Sequence, residues 1–415
     1  MKLPIYGWIA IVGLWSGTAA AMQAPALELD PAEQAAVDAC FELADEQASI
    51  DCLQALNLPL PPDMAEVLAI ADDADRRAAN ERWQRDFDAG MVEHAHALAA
   101  RADARSLLAA AMIVPRHYDQ ASGQPLPSAV DPQRWFDAAR AARPADPLVA
   151  WLEATDCPAA ALQCDANAAI ARLLQVDGDN AAVQWLAIQA AIDGGDGIAA
   201  RTHLRLAAQA GRFEPYNAEL LVLLLDARNG ASLAPMDAGT ARVVGITQQL
   251  GRPATNEDIV AMQSFAQWAA FALPRTAGVM QLCGSEAARS GRDAALRQDC
   301  IGLMTQVAAE ESIMIYPALA LPALIGLSDG AARDSWQARL REYAWLSEQA
   351  VPLLLPSRVS AGMDEYARWI VSDGETGAMR RLMRHHGIPL EPPAGWLPKN
   401  RRYRALVTTG VAPAG

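Results

Sequence analysis

Two stretches decide how this 415-residue chain folds: Asp146-Pro147-Leu148-Val149-Ala150-Trp151-Leu152 and Asn180-Ala181-Ala182-Val183-Gln184-Trp185-Leu186. Each opens on a residue whose short polar side chain caps a helix amino terminus, and each then runs into Val-x-Trp-Leu. The two tryptophans lie 34 residues apart, the spacing at which one helical hairpin succeeds another. Gly194-Gly195-Asp196-Gly197 supplies a turn between helices. The helix predicted from Ala181 to Ile192 places Val183, Leu186 and Ala190 on one side and Trp185, Ile188 and Ile192 on another. A helix apolar on several sides is packed between neighbours.

Further motifs surround this pair between Asp131 and Pro215. Phe136-x2-Ala139-x4-Pro144 sets a large residue beside a small one ahead of a helix-breaking proline, and Leu204-x2-Ala207 repeats its first part. Small residues let two helices approach closely, while the larger one fills the groove between them. With the Val-x-Trp-Leu pair, these motifs make the chain resemble the tetratricopeptide-like helical-repeat superfamily, most clearly over residues 131–227. The resemblance implies an all-α, irregular, solenoid-like array of α-α hairpins whose concave face holds a protein or peptide partner. Departures from the family pattern are specific. Thr155 and Gln189 stand where a small residue is expected four positions after each tryptophan, Pro215 comes late, and the hairpin near Asn217 is out of phase. Irregular hairpins and a second helical block are therefore expected.

The amino terminus reads as a signal peptide over residues 1–21: Lys2, an apolar run from Ile5 to Trp15, and a small-residue cleavage site at Ala19-Ala20-Ala21. The apolar run is shorter than the ~20 residues a membrane span needs, and no cysteine follows it until Cys40, which argues against lipid attachment. The leader style and a coding bias that leaves only Lys2 and Lys399 as lysines point to a bacterial periplasmic or secreted protein. Formal net charge is −15, an acidic balance that argues against nucleic acid, because phosphate contacts need clustered cations. The six cysteines fall as close pairs, Cys40/Cys52, Cys157/Cys164 and Cys283/Cys300. In an oxidising compartment they are expected as local disulfides across helix-helix turns; no C-x2-C spacing or neighbouring histidine supports zinc.

Along the rest of the chain, residues 22–116 read as an N-terminal helical region that opens on the capping signature Asp30-Pro31-Ala32-Glu33. His117 to Val130 reads as a loop, and Asp131-Pro132 restarts a helix. Leu220 to Leu225 is a buried helix, and residues 228–256 are turns around a shorter helix. A C-terminal helical block spans 258–387. Its apolar stretch Ile313 to Leu327 is too short and too interrupted by Pro317 and Pro322 to cross a membrane. The block closes on a hairpin, Met363 to Val371, Ser372-Asp373-Gly374, then Thr376 to His386. Residues 388–415 are expected as a Pro-rich extended tail.

Chemistry is sparse. His94 and His96 sit two apart, so on a helix their rings point about 200° apart and cannot share an ion. Arg380, Arg381, Arg384, His385 and His386 form a candidate basic patch, although cations at a helix carboxyl end also satisfy its last carbonyls. Gly195-Asp196-Gly197-Ile198-Ala199-Ala200 follows a helix and reads as a turn, not a dinucleotide loop. Nine tryptophans outside the leader, most beside aliphatics in helices, read as core more than as sugar-stacking platforms. No catalytic set, metal site or cofactor motif stands out. The expected role is a non-enzymatic protein- or peptide-binding scaffold of the cell envelope, without a membrane span once the leader is removed. The alternative is a helical enzyme acting on a cell-wall or polysaccharide substrate, which needs a closed pocket with perturbed carboxylates.

Overall fold

The computed structural model describes residues 74–115, 130–155, 163–247, 250–271, 275–354 and 363–412. Among them the protein is all-α, with seventeen α-helices, one 3-10 turn and no β-strand. In chain order these are α1 (Ala74–Ala99), α2 (Ala104–Ile113), α3 (Pro132–Ala141), α4 (Pro147–Thr155), α5 (Ala166–Asp177), α6 (Ala181–Asp193), α7 (Gly197–Gln209), α8 (Asn217–Asn229) and α9 (Ala238–Thr247). Then follow α10 (Asn256–Phe271), α11 (Ala277–Cys283), α12 (Glu286–Arg289), α13 (Ala294–Ala309), α14 (Ile315–Leu327), α15 (Gly330–Ala350), α16 (Met363–His385) and α17 (Arg401–Thr409). The leader, the capping signature at Asp30 and the cysteines Cys40, Cys52 and Cys157 lie outside the described residues.

Short polar side chains start these helices as their chemistry dictates. Asp131 accepts from Gln133 N, Asp165 from Ala168 N, Asn180 from Ala182 N and Asp293 from Leu296 N. Asp196 accepts from Ile198 N and Ala199 N beside Gly195 at φ +73°, so the glycine-rich stretch is the turn into α7.

The two Val-x-Trp-Leu helices are α4 and α6. Trp151 and Trp185 are each 1% exposed, and Phe136, Ala139, Leu204 and Ala207 are buried as their spacing requires. Consecutive helices pack as neighbours through α4, α5, α6 and α7. Beyond α7 the order changes. The next helices against α6 and α7 are α11 and α13, although residues 211–276 intervene in sequence. Trp185 Nε1 donates to Arg275 O at 3.0 Å, and Gln189 Oε1 accepts from Gly278 N at 2.7 Å at the start of α11. Gln189 departs from the small-residue pattern because it reaches this neighbour.

The intervening chain leaves through a polar knot. Tyr216 takes a left-handed backbone, φ 57°, which costs a non-glycine residue strain that its surroundings must hold. Its ring packs on Trp151 with centroids 5.5 Å apart, and its hydroxyl donates to Asp177. Arg212 also pairs with Asp177, and Asn180 Nδ2 donates to Asp177 Oδ2 and to Glu214 O, each at 2.8 Å. From there α8 packs against α10, α2 and α16, so it ties the early helices to the last long one. Trp268 Nε1 on α10 donates to Asn217 O at 2.8 Å.

Of the three expected local disulfides, one is described at both ends. Cys283 and Cys300 are bonded, joining α11 to α13 across α12 with Cα atoms 5.5 Å apart. Cys164 is also disulfide-bonded. It sits just ahead of Asp165, the cap of α5, and packs half-buried against the core. Its expected partner, Cys157, falls outside the described residues, as does the whole Cys40/Cys52 pair. Those two pairings therefore stay expectations. No cysteine among the described residues is free.

Downstream, α13, α14 and α15 pack in succession. The chain after α16 differs from the expected extended tail. Trp345 Nε1 donates to Pro389 O, Arg341 Nε to Trp396 O, and Lys399 N to Glu348 Oε1, which fixes the proline-rich stretch along α15. Asn400 then caps α17 by accepting from Arg402 N and Tyr403 N. Proline removes donors but leaves carbonyls, and here arginine and tryptophan use them. No helix among the described residues is long and apolar enough to cross a membrane.

Candidate functional site: a groove between α13 and α15

The α14–α15 corner is clamped by arginines. Arg297, one turn into α13, donates through Nε to Leu327 O at 2.6 Å, covering a carbonyl at the end of α14. Its other arm pairs with Asp329, which also takes Arg333 at 2.9 Å; Arg333 Nε donates to Ser328 O. Between the two helices this leaves an open groove of about 540 Å³. Ala294, Arg297, Gln298 and Ile301 form one wall, Ala332 and Trp336 the other, with Leu327, Ser328 and Asp329 below. Trp336 is half-buried, and the Arg339 guanidinium lies 5.4 Å from its ring centroid while donating to Ala308 O. One carboxylate, Asp329, thus faces Arg297 and Arg333, and Arg339 lies on the tryptophan instead of on an acid. Arg297 and Asp329 line the groove itself, and Arg333 and Arg339 flank Trp336 along α15, on a chain of net charge −15.

A second open groove, about 400 Å³, lies between α1, α2 and α8. Its apolar floor of Leu98, Ala109, Leu223 and Ala227 is edged by Arg101, Arg105, Glu219 and Asp226. Arg105 is committed to Asp146 and Glu219, so the charges here are balanced.

The residues singled out in the sequence are mostly dispersed. His94 lines the second groove against Gly230, whereas His96 stacks edge-on to Trp135, with centroids 5.0 Å apart. Among the described residues no group of three or more His, Cys, Asp or Glu is placed to hold a metal ion. Cys164, Cys283 and Cys300 line neither groove, so their part here is to staple the chain. His203 Nδ1 lies 2.8 Å from Gln184 Oε1 between α6 and α7, and burial lowers its pKa. In the candidate basic patch, Arg380 pairs with Glu311 at 3.1 Å and Arg381 with Asp373, while Arg384, His385 and His386 are exposed. All nine tryptophans outside the leader are buried or half-buried. Trp151, Trp185, Trp268 and Trp345 contribute to the core, in keeping with packing.

Two other features escaped sequence reading. Arg228 is buried among neutral partners, donating to Ser264 Oγ and Gln267 Oε1, and burial pushes its guanidinium down to about 10. Glu375 is 2% exposed, accepts from Met314 N at 2.6 Å, and burial pushes its carboxyl up to about 7. Glu375 lines neither groove. The groove's own residues carried one weak signal: Arg333, Trp336 and Arg339 recur every third position, which on a helix sets successive ones near each other. Searches of protein-family models, of curated proteins and of solved structures found no match to this chain.

Proposed function

We propose that this chain is a non-enzymatic scaffold of the bacterial cell envelope that holds an acidic, extended segment of a protein partner between α13 and α15. The observation that carries this reading is the half-buried Trp336 lining one groove with Arg297 and Asp329, with Arg339 over its ring and Arg333 one turn before it on α15. Tryptophan and arginine are the side chains that anchor protein contacts, because one offers a large rigid apolar face and the other a planar fork for carboxylates. The groove is open, as an extended chain requires.

The same reading takes the hairpins α4/α5, α6/α7, α11/α13 and α14/α15 as an irregular tetratricopeptide-like array interrupted by the α8–α10 excursion. Export by the leader suits a disulfide such as Cys283–Cys300. The rival enzyme acting on a cell-wall or polysaccharide substrate needs perturbed carboxyls converging on a cleft. Glu375 is raised, but it sits away from both grooves.

The test is fluorescence anisotropy with a labelled peptide of glutamates around one phenylalanine, against the same peptide with lysines for glutamates. The acidic peptide is expected to bind with Kd on the order of tens of micromolar at low salt and to weaken as salt screens the charges. Trp336→Ala and Arg339→Glu should each weaken it at least about tenfold. Equal affinity for both peptides, no binding of the acidic one, or variants without effect would overturn the reading.

A further inference from the structure

α16 is two helical pieces joined at Gly374. Its φ of 71° is open to glycine, and a Cβ there would meet Glu311 O at 2.4 Å, so the loop between α13 and α14 sits directly against the break. Two backbone–backbone hydrogen bonds and one from a backbone N–H to a side chain make the joint. Glu375 N donates to Ser312 O at 3.1 Å and Thr376 N to Glu311 O at 3.2 Å. In return, Met314 N donates to Glu375 Oε2 at 2.6 Å. The Thr376 hydroxyl reaches Met314 Sδ at 3.6 Å.

The side chain at the centre of this joint is a carboxyl buried without a cation. Next to it on its own helix lies Tyr366, whose buried hydroxyl, like that of Ser312, has no hydrogen-bond partner among the described residues. From α15 comes Tyr343, which in turn neighbours Tyr403 of α17. The charged groups nearby are spoken for. Glu311 holds Arg380, Asp373 holds Arg381, and Glu310 accepts from Ser312 N. On α8 and α10, which also pack against α16, Arg228 is taken by Ser264 and Gln267 and Asp258 by Arg252.

The geometry points to a latch: with Glu375 neutral, the second half of α16 stays docked on the 311–314 loop, and ionisation of Glu375 releases it. The reason is the cost of an anion in this place. A buried carboxylate with one backbone donor and no cation is strongly destabilised, whereas the neutral acid is tolerated. The least expensive relief is to give up three hydrogen bonds by rotation about Gly374, which lets Glu375 reach water. Arg384, His385 and His386, exposed at the end of the same helix, would move with it. Burial holding the carboxyl near 7 puts the change in the neutral range. The latch does not depend on which partner the groove takes.

Hydrogen exchange of the full chain, read by mass spectrometry at about pH 5.5 and about pH 8.5 and corrected for intrinsic rates, tests it. Peptides covering 312–315 and 374–385 should lose protection between the two conditions by on the order of ten- to a hundredfold. Those covering 147–155 and 181–209 should not change. Glu375→Gln should keep protection at both conditions, and Glu375→Met, of similar length and uncharged, serves the same purpose should the glutamine variant fold poorly. Tyr366→Phe, which removes a hydroxyl without a partner, should respond like the parent. A pH response that survives in both uncharged variants, that vanishes in Tyr366→Phe, or that spreads evenly over the chain would overturn the latch.

Discussion

Glu153 in the hairpin block and Glu375 at the α16 joint are the same residue at nearly the same burial, 1% and 2% exposed, yet their surroundings are opposite. Glu153 on α4 is clasped by Arg140 of α3 at 2.8 Å and by Arg172 of α5, and it accepts from Asp165 N. Its two arginine partners come from the helices on either side, so it ties α3, α4 and α5 together. Glu375 has one backbone donor, Met314 N, and no cation. Burial alone therefore does not set what an acid does in this protein; the cation beside it does. Asp177 with Arg212 and Asp258 with Arg252 follow Glu153. On α4, α5 and α10 an arginine sits beside the buried carboxyl, whereas at the α16 joint the carboxyl of Glu375 has a backbone N–H and no arginine.

Trp185→Ala removes a ring 1% exposed that contacts Phe213 and donates to Arg275 O. Urea unfolding should show a loss of about 3–5 kcal/mol, and a loss under about 1 kcal/mol would contradict a packed hairpin block. Replacing Cys283 and Cys300 by serine frees a loop with a sequence separation of 17. The cost should be about 3 kcal/mol in the same assay, and a neutral result would show that α11 and α13 hold without it.

Next comes pH. The Glu375 carboxyl is raised in the folded state, to about 7. Its contribution is fully present below the ordinary carboxyl range and is lost as pH rises through that value. Glu375→Gln should thus be close to neutral near pH 5 and stabilising by about 1–3 kcal/mol near pH 8.5. Parallel stability curves for the two proteins would break the contrast. Asp258 runs the other way. Burial raises its carboxyl, but hydrogen bonds from Arg252 and Thr255 outweigh this and leave it lowered. Its contribution is present above the ordinary carboxyl range and fades as pH falls through the folded value. Asp258→Asn should cost about 1–2 kcal/mol at neutral pH and progressively less in acid. At the groove, Trp336→Ala should change stability least, by under about 1 kcal/mol, because the ring is only half-buried.

Much of the architecture was written locally. The Val-x-Trp-Leu pair located α4 and α6, the aspartates and asparagine marked helix starts, and the glycines at 195 and 374 marked turns. In each case the cause lies within a few residues: a side chain reaching its own helix end, or a backbone angle open to glycine. What stayed hidden depends on partners distant in sequence. Nothing around Gln189 announces that Gly278 will sit against it, and nothing between Tyr216 and Asn229 says that α8 will leave its hairpin neighbours for α2 and α16. The proline-rich stretch is non-helical as its prolines require, but its fixed course along α15 comes from Trp345, Arg341 and Glu348, and the chain beyond it forms α17. The groove was legible only as a faint Arg-Trp-Arg spacing, since its other wall comes from α13. Glu375 gave no signal at all: a glutamate after a turn is ordinary until tyrosines and a loop close over it.

The contrast between neutralised and unneutralised carboxyls is tested most directly by carbon NMR titration of protein labelled at the glutamate δ-carbons, with the Glu375 resonance assigned by its absence from Glu375→Gln. The structure calls for a Glu375 resonance that titrates near 7. A Glu375 resonance that titrates in the ordinary carboxyl range of about 4–5 would contradict it.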